Sequence, residues 1–273
     1  MTGILLCGHG SSHEDGVSGF LKLLKRFQER HPNDIVEGGF LELSIPLIES
    51  AAAQMYEQGV RDMVALPVFL FTGVHLRLDI PLLMTELMDR HEGLKIRMGS
   101  YIGVCDELVE LCAKRIDQVL AVNADVDRAD SLIFGIGVGA SVLEANDDIV
   151  ELTQLMQKKA GFSHSAHAFI SPLGKVSISE ALDDIMQLPQ KHVVVVPLFL
   201  FNGIYLEDAF RQIQAHDVSL EKKFVICESF NSDDSVLDAL QRRYEDVIDG
   251  TVDLTQKFDR EKAETRARST TAS

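Results

Sequence analysis

Three residues in the first half of the chain, His9, Glu42 and His75, each follow a stretch that reads as a strand. Neutral imidazole ligates borderline divalent metals, and it also takes up a proton near neutral pH. A carboxylate adds a hard oxygen ligand or a further base. Two histidines and one carboxylate gathered in a cleft can hold a divalent cation with coordination positions left open, whereas a closed tetrahedral cage would retain it.

The surrounding pattern supplies elements to position these side chains. Residues 2–8 read as a strand that runs into Gly8-His9-Gly10-Ser11-Ser12. Val17, Phe20, Leu21, Leu24 and Phe27 then recur at helical spacing, up to a stop at His31-Pro32-Asn33. Residues 34–42 form a second predicted strand. Ser44 is the expected N-cap of the next helix, with Pro46 in its first turn and Gly59 just past its end. Leu66–Phe71 is almost continuously apolar, the mark of a strand buried on both faces of a parallel sheet. It breaks at Thr72-Gly73, presents His75, and gives way to a helix opened by Asp79-Ile80-Pro81. A strand at 95–100 follows, then a helix with Leu108, Val109, Cys112, Ile116 and Val119 on one face. This βαβαβαβα order predicts an α/β fold with a parallel sheet covered on both sides. Ligands in such sheets bind beyond the carboxyl ends of the strands, where all three residues fall.

After a polar stretch at 121–130 the pattern starts again. Gly8-His9-Gly10-Ser11-Ser12 lines up with Gly137-Val138-Gly139-Ala140-Ser141, and Pro67–Leu76 lines up with Pro197–Leu206. Offsets between 128 and 130 residues align the two copies with almost no gaps. The division expected is 1–121 for a first, catalytic lobe, 130–249 for a second, degenerate lobe, and 250–273 for a disordered tail. The repeat also acts as an internal control. Pro67, Phe69 and Gly73 recur as Pro197, Phe199 and Gly203, so they read as scaffold. His9, Glu42 and His75 become Val138, Ser171 and Tyr205, so all three are lost together from the second copy.

Other polar residues read as ordinary structure. His13 lies in a loop and reads as solvated. His164 and His167 point to opposite faces of a strand and make no joint site. Glu144, Asp147 and Asp148 suit a helix N-terminal turn. Gly8-His9-Gly10 lacks the third glycine of a dinucleotide fingerprint.

A net charge of −16 argues against nucleic acid as a partner. No apolar run is long enough for a membrane helix, and the N-terminus does not read as a signal peptide. Cys7, Cys105, Cys112 and Cys227 show no metal-binding spacing, and a reduced, cytoplasmic protein is expected. Insertion of a metal into a tetrapyrrole uses the chemistry of the three residues in full. The metal must be held and handed over, and two pyrrole N–H protons must leave.

At these residues the sequence resembles the sirohydrochlorin chelatases, which insert cobalt or iron into sirohydrochlorin. The resemblance rests on Gly8-His9-Gly10-Ser11, on Gly39-Phe40-Leu41-Glu42 with Pro46, and on Pro67-Val68-Phe69-Leu70 with Gly73-Val74-His75 and Asp79-Ile80-Pro81. It covers both copies and so is similar to the long, two-lobed form. It implies two flavodoxin-like lobes facing a central cleft. His9 and His75 would bind the metal and accept protons, and Glu42 would assist as base or ligand.

The family's histidine-rich tract and iron–sulfur motif are absent from this sequence, so no resident cofactor is expected. Co2+ is the expected substrate metal, with cobalamin biosynthesis as the pathway. Fe2+ and sirohaem are the alternative, and a non-catalytic tetrapyrrole or metal carrier is a second. A metal-independent phosphohydrolase-like enzyme with His9 as nucleophile would need arginines near His9, and none is near in sequence. Ser11, Ser12, Arg77, Asn202 and Tyr205 are the candidates for holding the tetrapyrrole. A monomer with two pseudo-symmetric lobes is expected.

Overall fold

The computed structural model describes residues 2–215 and 222–254. The first half contains β1 (Thr2–Gly8), α1 (Glu14–Arg30), β2 (Ile35–Phe40), α2 (Ile48–Glu57), β3 (Asp62–Pro67), α3 (Ile80–Arg90), β4 (Lys95–Met98) and α4 (Asp106–Ala121). The second contains β5 (Ser131–Gly137), α5 (Leu143–Ala160), β6 (His164–Phe169), α6 (Ile178–Met186), β7 (His192–Pro197), α7 (Ile204–Ala215), β8 (Lys223–Ile226) and α8 (Asp234–Ile248). Two four-stranded parallel sheets result, in the orders β2-β1-β3-β4 and β6-β5-β7-β8. Each is the flavodoxin-like winding, with its reversal between the first and third strands.

The central strands are apolar because both faces are covered. In β1, Ile4 and Leu6 enter one core while Leu5 and Cys7 enter another, as the period of two requires. Helices α2 and α3 cover the outer face of the first sheet, and α6 and α7 that of the second. The layer between the sheets belongs to both halves. Helix α8 packs on β3 of the first sheet, and α4 packs on β7 of the second. The last helix of each sequence repeat thus lies against the other repeat's sheet. Leu108, Leu111 and Ile116 of α4 and Val236, Leu237 and Leu240 of α8 are fully buried there. Each such side chain contributes on the order of 1.5–3 kcal/mol of burial free energy. The exchange is reciprocal in its polar contacts too. Arg243 of α8 donates to the Ile102 carbonyl at 2.6 Å, and its repeat equivalent Arg115 in α4 donates to the Phe230 carbonyl at 3.2 Å.

Several local expectations are corrected. Helix α2 starts at Ile48, with Leu47 in the N-cap position and no side-chain cap. Ser44 is not the cap: its hydroxyl donates to the Ser11 carbonyl at 2.8 Å and accepts from the Ser11 N–H at 3.0 Å. Pro46 sits in the loop before the helix after a cis bond, and its carbonyl accepts from the Phe40 N–H at 2.9 Å. The third strand lies earlier than its most apolar stretch. Pro67 has no N–H and closes the ladder opposite Cys7, so Val68–Phe71 runs on as a loop against residues 101–103.

His75 is not in a loop. Residues His75–Asp79 form one wide π-turn that leads directly into α3. The 121–130 stretch carries one short 3-10 turn, Arg128–Asp130. Residues 255–273 of the expected tail lie outside the described residues. Residues 251–254 turn back onto the first sheet, where the Asp253 carboxylate accepts from the Met98 N–H at 3.3 Å and Leu254 packs on the outer core. No helix among the described residues is long and apolar enough to cross a membrane.

Candidate metal centre

The two loops that leave β1 and β2 are fastened side by side before either presents a functional group. The Leu41 N–H donates to the Gly8 carbonyl at 2.8 Å, and the Glu42 N–H donates to the His9 carbonyl at 3.1 Å. Gly10 permits this approach. Its φ is +100°, and a Cβ there would lie 1.8 Å from the Glu42 carbonyl oxygen. Leu43, next to Glu42, also holds a left-handed φ of 61°. His75 comes from the adjacent strand end, on the first turn after β3.

The result is one cluster. Ligand atoms of His9, Glu42 and His75 all lie within 4.8 Å of one another. His9 Nε2 is 3.7 Å from Glu42 Oε1, and the two imidazole rings meet edge to face with centroids 4.7 Å apart. His9 Nδ1 lies 3.2 Å from the Gly10 carbonyl, which can only accept, so this contact puts the proton on Nδ1 and leaves a lone pair on Nε2. His75 Nδ1 is 2.7 Å from Asp79 Oδ2. The three side chains are 39–50% exposed, open enough for an ion and a second ligand to reach them together. Among the described residues no other group of histidine, cysteine and carboxylate side chains could hold a metal in this way.

The cysteines offer no rival chemistry. Burial pushes the Cys7 and Cys227 thiols up to about 12, and it raises Cys112 and Cys105 as well. His164 hydrogen-bonds Gln190 at 3.0 Å, and His167 packs on Phe169.

A cleft of about 390 Å³ opens between the lobes beside His9. Its walls are largely apolar, with Phe20, Phe40, Phe199 and Phe201 among them. Ser11, Ser12, Asn202 and Tyr205 line it too. The Ser11 hydroxyl accepts from the His13 N–H at 3.0 Å, and the Asn202 side chain accepts from the Ser229 hydroxyl. Tyr205 is 53% exposed. Arg77 stands apart from these four. Its Nε donates to Thr72 Oγ1 at 3.1 Å, and its guanidinium pairs with Glu144 of the second lobe at 3.3 Å.

His13 departs from the solvated reading. It caps α1 by accepting from the Asp15 N–H at 3.3 Å, and its Nε2 lies 3.1 Å from Glu207 of α7. The acidic cluster also faces the first lobe, since Tyr101 donates to Asp148 at 3.3 Å. Sequence reasoning missed Asp79, Glu144 and Glu207. Only Asp79 carried a local signal, four residues after His75 at the start of a helix.

The fold and this cluster define a two-lobed, doubly wound α/β protein with an open histidine–carboxylate site at the strand switch point of one lobe. A model of the CbiX family matches the chain twice, over residues 3–119 and 132–247. The chain belongs to the CbiX family. It is 26% identical over 258 residues to the sirohydrochlorin cobaltochelatase of Priestia megaterium, covering 93% of this chain and 82% of the relative. It is likewise 26% identical over 214 residues to a sirohydrochlorin ferrochelatase from the same organism, covering 78% and 79%. Among solved structures, SirB from Bacillus subtilis with Fe3+ superposes with a TM-score of 0.81 at 21% identity, over 92% of this chain and 98% of the other. That likeness extends the two-lobed fold to a second protein.

Proposed function

We propose that this chain is a sirohydrochlorin chelatase that inserts a divalent metal without ATP. The observation that carries the reading is the single cluster of His9, Glu42 and His75 at three adjacent strand ends, beside an apolar cleft. Membership of a family with both cobaltochelatase and ferrochelatase relatives supports it. The Nε2 atoms of His9 and His75 hold the ion, with Glu42 as third ligand or base. The macrocycle enters the cleft flat against the phenylalanine walls. Two pyrrole N–H protons leave as the two new metal–nitrogen bonds form, and the imidazoles and the Glu42 carboxylate accept them. The ion's charge of +2 is balanced by those two protons, so no other reactant is needed.

Co2+ is the metal we assign, and cobalamin biosynthesis the pathway. Fe2+ insertion for sirohaem is the second reading, because imidazole and carboxylate suit both ions. The first lobe is the catalytic one and the second a degenerate partner. Ser11, Ser12, Asn202 and Tyr205 line the substrate's pocket, and Arg77 takes one of its carboxylates. Absorbance spectra of purified protein with sirohydrochlorin and Co2+ or Fe2+ test the activity. Acceleration above the spontaneous rate is expected, faster with Co2+. No acceleration with either ion would leave a carrier as the better reading.

A further inference from the structure

We infer that Asp79 is a positioning residue for metal binding, holding His75 in the tautomer that turns its Nε2 lone pair to the ion. The inference rests on the reading of His75 as a metal ligand. Three observations carry it. The Asp79 carboxylate lies 2.7 Å from His75 Nδ1, a short charge-assisted contact in which a carboxylate can only accept, so the proton sits on Nδ1. Asp79 is spared the duty its place suggests: it stands at the N-cap position of α3 yet makes no side-chain cap hydrogen bond. Its repeat equivalent is Ala209, and the equivalent of His75 is Tyr205, so the carboxylate disappears together with the histidine. A residue needed only to start the helix would have been retained, because α7 starts at Ile204 without it.

The wide turn at His75–Asp79 gives the pair its geometry. The Ile80 N–H bonds the His75 carbonyl, five residues back. Such π-turns recur at functional sites. His9 reaches the same tautomer through a backbone carbonyl, Gly10. The two ligands are therefore oriented by different means, one neutral and one anionic. A carboxylate behind a ligating imidazole fixes the ring and raises its basicity, and removal of such a partner typically weakens metal binding about 10–100-fold.

The test compares wild type with Asp79→Ala, Asp79→Asn and His75→Ala, using Co2+ alone as the probe. Asp79→Ala should weaken Co2+ binding about 10–100-fold. Asp79→Asn should restore most of it, because the amide oxygen still accepts from Nδ1. Ring-nitrogen NMR of 15N-histidine-labelled protein, at a pH where imidazole is neutral, should show His75 protonated on Nδ1 in wild type and shifted toward Nε2 in Asp79→Ala. The His75→Ala spectrum assigns the resonance. A helix-starting role would lower the melting temperature and leave tautomer and affinity unmoved. An Asp79→Ala protein with wild-type tautomer and affinity overturns the inference while the metal site stands. Equal Co2+ binding by wild type and His75→Ala is a different failure, that of the metal reading itself.

Discussion

The Glu42 N–H donates to the His9 carbonyl oxygen at 3.1 Å, one residue beyond the last paired residues of β1 and β2, Gly8 and Phe40. The backbone therefore extends the sheet's own register into the site. Two of the three proposed ligands are set by main-chain geometry, which side-chain motion cannot loosen. His75 alone depends on a side-chain contact for its ring orientation.

Gly10→Ala should disturb this arrangement directly. The added Cβ meets the Glu42 carbonyl at 1.8 Å, and a left-handed alanine costs about 1–2 kcal/mol before that clash is counted. Thermal melts should show lower stability, and Co2+ titration should show weaker binding. A variant with both unchanged would mean that the two loops are not fastened as described.

Arg77 and Glu144 bridge the lobes at 3.3 Å with both side chains substantially exposed, so the pair itself contributes at most about 1 kcal/mol. Its larger effect is on availability. If Arg77 takes a substrate carboxylate, Glu144 competes with that carboxylate. Arg77→Ala should raise KM for sirohydrochlorin, and Glu144→Ala should lower it, each with kcat little changed. A rise in KM from Glu144→Ala would remove Arg77 from the substrate site.

Burial raises the Asp148 carboxyl above its ordinary value, an effect its hydrogen bond from Tyr101 only partly offsets. A raised folded-state pKa means that the folded protein binds the proton more tightly. The cost of ionising Asp148 is thus present above the folded pKa and vanishes below the unfolded one, near 3.8. Asp148→Asn keeps an acceptor for Tyr101 and carries no charge. It should raise the melting temperature at neutral pH, with the gain shrinking as pH falls toward that value. A gain independent of pH would place the effect elsewhere.

Helix α8 follows the second sheet in sequence and packs on β3 of the first. Leu237 is fully buried in the core shared by both halves. Leu237→Ala should cost about 2–5 kcal/mol. Denaturant unfolding followed by separate probes in the two sheets should shift together, as one transition. Destabilisation of the second sheet alone would contradict the exchanged packing.

The sequence made the strand ends readable because β1, β3, β5 and β7 are buried on both faces and so carry long apolar runs. It made His9, Glu42 and His75 stand out because the second repeat keeps the scaffold without them. The exchange of α4 and α8 left no such trace. Helical periodicity shows that a face is buried, but it does not say against which sheet. Ser44 looked like a cap because serine before an apolar stripe usually is one, and here a loop 33 residues away in sequence claimed its hydroxyl. His13 looked solvated because its partner Glu207 lies 194 residues further along the chain. Contacts between distant loops decide such residues, and no local pattern encodes them.

The central claim is that one lobe carries the chemistry. Single-turnover absorbance of sirohydrochlorin metallation, run in parallel on His75→Ala and on Tyr205→Ala at the equivalent position, tests it most directly. The account predicts that His75→Ala abolishes acceleration by Co2+ and by Fe2+, and that Tyr205→Ala keeps most of it. Equal losses in the two variants would contradict a single site in the first lobe.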